Sequence, residues 1–108
     1  MNRLATMFTL MFLIAVTFTW DMPTTNEDGS PLTDLAGARV HYGTAPGVYD
    51  TTIDAGNVST YTVNMPEGNY YGAISAYDTS GNEGAKSNEV NFTYRLGPDA
   101  PVNLRVTF

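Results

Sequence analysis

The chain has 108 residues, with 5 basic and 11 acidic side chains, a net charge of −6 and no cysteine. This length allows one domain with a modest core. The charge removes any electrostatic reason to hold nucleic-acid phosphates or an anionic membrane, and the lack of cysteine excludes disulfides, thiolate chemistry and cysteine-based zinc sites.

Met1-Asn-Arg3 supplies one positive charge, and Leu4 to Ala15 is then almost wholly apolar. A short basic start, about a dozen apolar residues and a small residue form the pattern of a secretory signal. Cleavage after Ala15 is expected, with Leu13 at the third position back. Leu4 to Trp20 carries no charge, but Val16-Thr-Phe-Thr-Trp20 alternates in the manner of a half-buried strand. Subtracting that strand leaves too few apolar residues to span a bilayer. A retained anchor and a buried core segment are the alternatives to an export signal. The division expected is therefore a signal peptide at 1–15, a folded domain at 16–94, and a linker with a terminal strand at 95–108.

Strand and turn signals then recur at short intervals. Pro23 to Pro31 is a polar loop. Ala38 to Tyr42 alternates, Gly43 to Gly47 turns, and Tyr49 to Ile53 and Thr60 to Val63 are short strands. Pro66 to Asn69 turns into Tyr70 to Tyr77, the longest strand, which ends at Asp78-Thr-Ser-Gly-Asn82. Glu89 to Tyr94 alternates again. Six strands with short turns and no helical period predict an all-β antiparallel sandwich. Period two places Phe18, Trp20, Val40, Tyr42, Tyr61, Val63, Ile74, Ala76, Val90 and Phe92 inward. Thr17, Thr19, Arg39, His41, Tyr71, Ser75, Tyr77, Asn91 and Thr93 fall outward.

The stretches "VTFTWDMPTTNEDGSPLTDLAGARVHYGT", "YTVNMPEGNYYGAISAYDTSGNEG" and "SNEV" resemble a fibronectin type III domain of the form common in bacterial and phage proteins. In that resemblance Trp20 matches the strand B tryptophan, Val40 and Tyr42 match strand C, and Pro66 to Tyr70 matches the E–F corner. Ala76-Tyr-Asp78 and Gly81 match the end of strand F and its loop. The resemblance implies an immunoglobulin-like sandwich of strands B, C, C′, E, F and G over residues 16–94. It adds Tyr70 to the expected core and makes Trp20 its centre. The E–F turn is one residue short of the family pattern, and Ala38 and Gly72 stand where larger residues are usual. Strand A has no place before Val16.

No catalytic constellation, cofactor motif or metal site is expected. His41, the single histidine, occupies an outward position and is read as solvated. Asp78 and Glu83, with Ser80 and Asn82 between, offer oxygen ligands without the regular ladder of a calcium loop, and are read as an ordinary polar turn. Tyr71 and Tyr77 share an outer face with Arg39 and His41. These four are the candidate binding residues, able to stack a sugar or anchor a protein, with cross-strand pairing as the alternative.

The last segment, "APVNLRVTF", alternates Val102, Leu104 and Val106 with Asn103, Arg105 and Thr107. It resembles the start of strand A. It is expected to fill the missing position in a neighbouring molecule, giving head-to-tail self-association, or in its own molecule; a loose tail or the remnant of a second domain is the remaining alternative. The expected function is a non-catalytic, exported interaction or structural module with a protein or glycan partner. It would be secreted, periplasmic or on the cell surface, without nucleic acid and without a stable membrane span after processing. An accessory role in a polysaccharide-active system and a place in a virion are the other readings.

Overall fold

A computed structural model describes residues 12–108; most of the expected signal peptide, residues 1–11, lies outside the described residues. Six strands follow one another: β1 (Leu13–Thr19), β2 (Leu35–Gly43), β3 (Thr51–Gly56), β4 (Thr60–Pro66), β5 (Gly68–Asp78) and β6 (Val90–Tyr94). They form two antiparallel sheets, β1-β4 and β3-β2-β5-β6, and the described residues contain no helix. The fold is an all-β sandwich, as the alternation predicts.

β1 begins at Leu13, ahead of the expected boundary at Val16. Leu13, Ile14 and Ala15 pair with Pro66, Met65 and Asn64 in unbroken register. Burial along β1 alternates, with Ile14, Val16 and Phe18 turned toward the other sheet and Leu13, Ala15 and Thr17 outward. The alternation is hidden in the sequence because the outward positions at 13 and 15 are also apolar. β4 likewise runs three residues past the expected Val63, and this brings Met65 inside.

The core is centred on Val63, Met65 and Tyr70, with Val16, Phe18, Tyr42, Ile53, Tyr61 and Phe92 packed around them. Tyr70 stacks on Phe92 with ring centroids 5.6 Å apart, and Phe18 meets Phe92 edge-on at 5.7 Å, joining the two sheets. Gly72 makes that contact possible: a Cβ there would lie 3.0 Å from the Phe18 ring. The small residue on β5 is matched by a large one on β1. Val40 and Ala38 are fully buried.

Four expected core positions differ from the reading. Trp20 follows the end of β1 and is only half-buried, so it stands at the rim and not at the centre. Its indole N–H donates to Met22 Sδ at 3.2 Å. Val90 is 51% exposed, because no described strand covers the inner face of β6 at that point. Ile74 and Ala76 are partly buried for the related reason that β1 and β4 do not extend far enough to cover them.

Candidate functional site

The outer face of the four-stranded sheet carries a polar network. Adjacent registers place Arg39 opposite Ser75 and His41 opposite Ala73, with Thr52 beside His41 on β3. Ser75 Oγ donates to Glu83 Oε1. Its proton being committed, the 2.8 Å contact with His41 Nε2 requires that this nitrogen carry a hydrogen and donate. In the neutral ring, the form favoured by its lowered pKa, Nδ1 accepts from the Thr52 hydroxyl at 3.0 Å. The histidine is thus a neutral bridge between two strands. In this arrangement the serine proton points at a carboxylate and the imidazole edge facing it is a donor, so His41 does not serve as a base toward Ser75.

His41 is 6% exposed, which corrects its reading as a solvated side chain. The segment from Gly43 to Asp50 folds back across the sheet, where Gly47 N and the Tyr49 hydroxyl both donate to Glu89 Oε1, at 2.7 and 2.8 Å. This brings the Tyr49 ring to 6.1 Å from His41. Burial, then the charge of Lys86, hold the His41 pKa below its ordinary value, and Glu83 acts in the opposite sense. Glu83 is itself held low, first by the Ser75 hydroxyl and then by Arg39 and His41, against the effect of burial.

The four candidate binding residues share this face but are not equally available. The Arg39 guanidinium lies 4.1 Å from the Tyr77 ring centroid, and the Tyr77 hydroxyl donates to Asp54 Oδ1 at 2.7 Å. Tyr71 lies farther along, opposite Gly43. His41 is sealed beneath the loop. Asp78 accepts from Ser80 N, Asn82 N and Asn82 Nδ2, closing its own turn, while Glu83 turns to Ser75 and Arg39. The two carboxylates therefore do not converge. No group of three metal-ligating His, Cys, Asp or Glu side chains occurs among the described residues.

A second feature lies mainly on the opposite side of the same sheet and reaches Ser75, Tyr77 and Glu83 at the sheet's edge. β1 pairs with β4 along one edge only, and among the described residues its other edge has no partner strand. Between the Phe18–Thr19 end of that edge and β6 opens a trough made of two adjoining clefts. The smaller, of about 370 Å³, is lined by Phe18, Gly72, Ala73, Ile74 and Val90 among others. The larger, of about 730 Å³, continues past the end of β1 beneath the loop from Asp21 to Leu32. Trp20, Asp21, Ile74 and Ser87 line both. Trp20, Met22, Leu32, Leu35 and Ile74 give the larger cleft its apolar lining, and Asp21, Glu27, Asp28, Asp78 and Glu83 outnumber its one cation, Lys86.

The terminal segment stays away from the body of its own molecule. Leu96 N donates to Glu67 Oε2 at 2.9 Å, fixing the point of departure beside the β4–β5 turn. Beyond it no strand forms, and every residue from Arg95 to Phe108 is exposed. Val102, Leu104 and Val106 are 78%, 93% and 73% exposed. The expected strand is absent here because an isolated extended segment has nothing to pair with.

Comparison of the chain with protein-family models, curated proteins and solved structures finds no match in any of the three. Among the described residues no helix is long and apolar enough to cross a membrane.

Proposed function

We propose that this chain is a non-catalytic, exported interaction module of fibronectin type III-like form, which works by accepting an extended segment of a protein partner along β1. The division of six strands into two and four supports that immunoglobulin-like form. So does the Tyr70 hydroxyl, which donates to Pro66 O at 2.7 Å and ties the corner between β4 and β5. The observation that carries the function is the unpartnered edge of β1 beside an apolar trough. Added strands gain main-chain hydrogen bonds from such an edge and specificity from alternate side chains entering the groove. The outer face lends less support to sugar stacking, since Arg39 already covers Tyr77 and His41 is buried.

A titration tests this reading. The full chain carrying Leu104→Asp, which disables its own tail, is mixed with a synthetic peptide of residues 98–108 and followed by amide chemical shifts. Shifts concentrated in residues 13–20 and 87–90 are expected. Absence of binding at millimolar peptide, or shifts confined to the Arg39–Tyr77 face, would overturn it.

A further inference from the structure

We propose that the occupant of the β1 edge is the terminal segment of a second copy of this chain, so that molecules join head to tail in an open series. This rests on the reading of β1 as a strand acceptor and names its partner.

Three observations lead to it. The first is the edge. Exposed edges are ordinarily guarded by charge, proline or a bulge. β1 contains no charged residue and no proline, and its register with β4 has no irregularity. The free edge of β4 is equally uncharged but ends in Pro66, and no β4 residue lines either of the two clefts described above. Among the described residues, the end of β1 brings a free edge together with these clefts.

The second is the segment. Val102, Leu104, Val106 and Phe108 share one face in an extended conformation, and all four are more than 70% exposed. Exposed apolar side chains at strand spacing suit the bed that Phe18, Trp20, Ile74 and Val90 line beside the end of β1. Pro101 stands just before the alternation, where a strand tolerates proline. Asn103 has φ 57° in the free tail. Pairing would therefore straighten it, and asparagine occupies both regions readily.

The third is direction. Tyr94, the end of β6, pairs with Gly68, and the adjacent Pro66 pairs with Leu13. The tail therefore leaves at the Leu13 end of the sandwich, while the trough lies at the Trp20 end. Antiparallel addition to β1 must start at the Trp20 end. Residues 95–101, which precede the alternating segment, reach about 23–25 Å when fully extended, at ~3.3–3.6 Å each. The seven residues of β1 already span ~20 Å, and the path would also have to round the edge of the sandwich. A neighbour stacked below the Leu13 end presents its Trp20 end at the point where the tail emerges. Donor and acceptor are then different surfaces, so the contact does not close on itself and propagates.

The test uses light scattering after size exclusion on the full chain over a wide concentration range, together with two variants at exposed positions. Leu104→Asp disables the donor, and Val90→Arg obstructs the trough. The unmodified chain is expected to increase in mass continuously with concentration. Each variant alone is expected to remain monomeric with an unchanged circular dichroism spectrum, and the equimolar mixture to form one heterodimer that grows no further. A monomeric unmodified chain overturns the proposal, as does a dimer of fixed size, a mixture that stays monomeric, or variants that associate like the unmodified chain. If the peptide of residues 98–108 binds β1 while whole chains do not associate, the acceptor reading stands and the head-to-tail series fails.

Discussion

Met65 and Trp20 exchange the roles that residue type alone suggests. Met65 is 2% exposed at the junction of the sheets, whereas Trp20 is half-buried at the mouth of the trough. Met65→Ala is therefore expected to destabilise by about 2–5 kcal/mol, the usual range for a truncated core side chain. Trp20→Ala should cost less, about 1–2 kcal/mol for the partial area that it covers. Urea melts in the monomeric Leu104→Asp background measure both, and a larger loss at Trp20 would return it to the centre of the core. His41 allows a second measurement at this scale. Its folded pKa is depressed, mainly by burial, so the fold favours the neutral ring. Stability from this residue is full above the unfolded value of about 6.5 and falls as pH drops through that value toward the folded one. It is the single histidine, and the depressed carboxylates Asp28, Asp54, Asp78 and Glu83 lose their contributions only in the carboxylate range. The urea midpoint is accordingly expected to decline between about pH 7.5 and 5.5, spanning that unfolded value. In His41→Gln the midpoint should be nearly flat over the same interval.

Strand positions were legible wherever inward and outward residues differ in chemistry. Val63 alternates with polar neighbours and lies in the core cluster, and Tyr42 and Phe92 pack against that cluster, as period two requires. The reading failed where both faces are apolar, as at Leu13 to Ala15, and where burial comes from a loop crossing the sheet. Nothing local to His41 announces that Gly47 and Tyr49 will reach Glu89, some forty positions away. The shared face of His41 and Ser75 was visible in the pattern, but Glu83, beyond a turn, was not. Two expected outcomes belong to these elements. A chain starting at Val16 loses Ile14 from opposite Met65 and should be about 1–2 kcal/mol less stable than one starting at Leu13, from the area Ile14 covers. Equal denaturation midpoints would show that the first residues of β1 contribute nothing. Gly43→Ala would press a methyl group against the Val48 carbonyl. The loop should then lift from Glu89, seen as faster amide exchange at Gly47. Protection equal to that of the unmodified chain would mean that the backbone adapts without releasing the loop.

At the scale of the whole molecule, charge and strand exchange oppose each other. Each copy carries a net charge of −6, and the trough proposed to receive the tail is lined by Asp21, Glu27, Asp28, Asp78 and Glu83 against Lys86 alone. The tail brings Arg105 but also Asp99, so the contact has no ionic complementarity of its own. Its stabilisation comes from the apolar face of Val102, Leu104 and Val106 and from main-chain hydrogen bonds, neither of which salt screens. Repulsion between acidic bodies is screened, with a Debye length that falls from about 30 Å at 0.01 M to about 8 Å at 0.15 M. Added sodium chloride is therefore expected to increase the mass at fixed protein concentration and to raise the melting temperature, since association favours the folded state by mass action. The melting temperature should also rise with protein concentration, and Leu104→Asp should remove that dependence. If salt instead dissolves the assemblies, the contact is ionic, with Arg105 against these acidic residues as its first candidate. Arg105→Gln would then weaken association where Leu104→Asp would not.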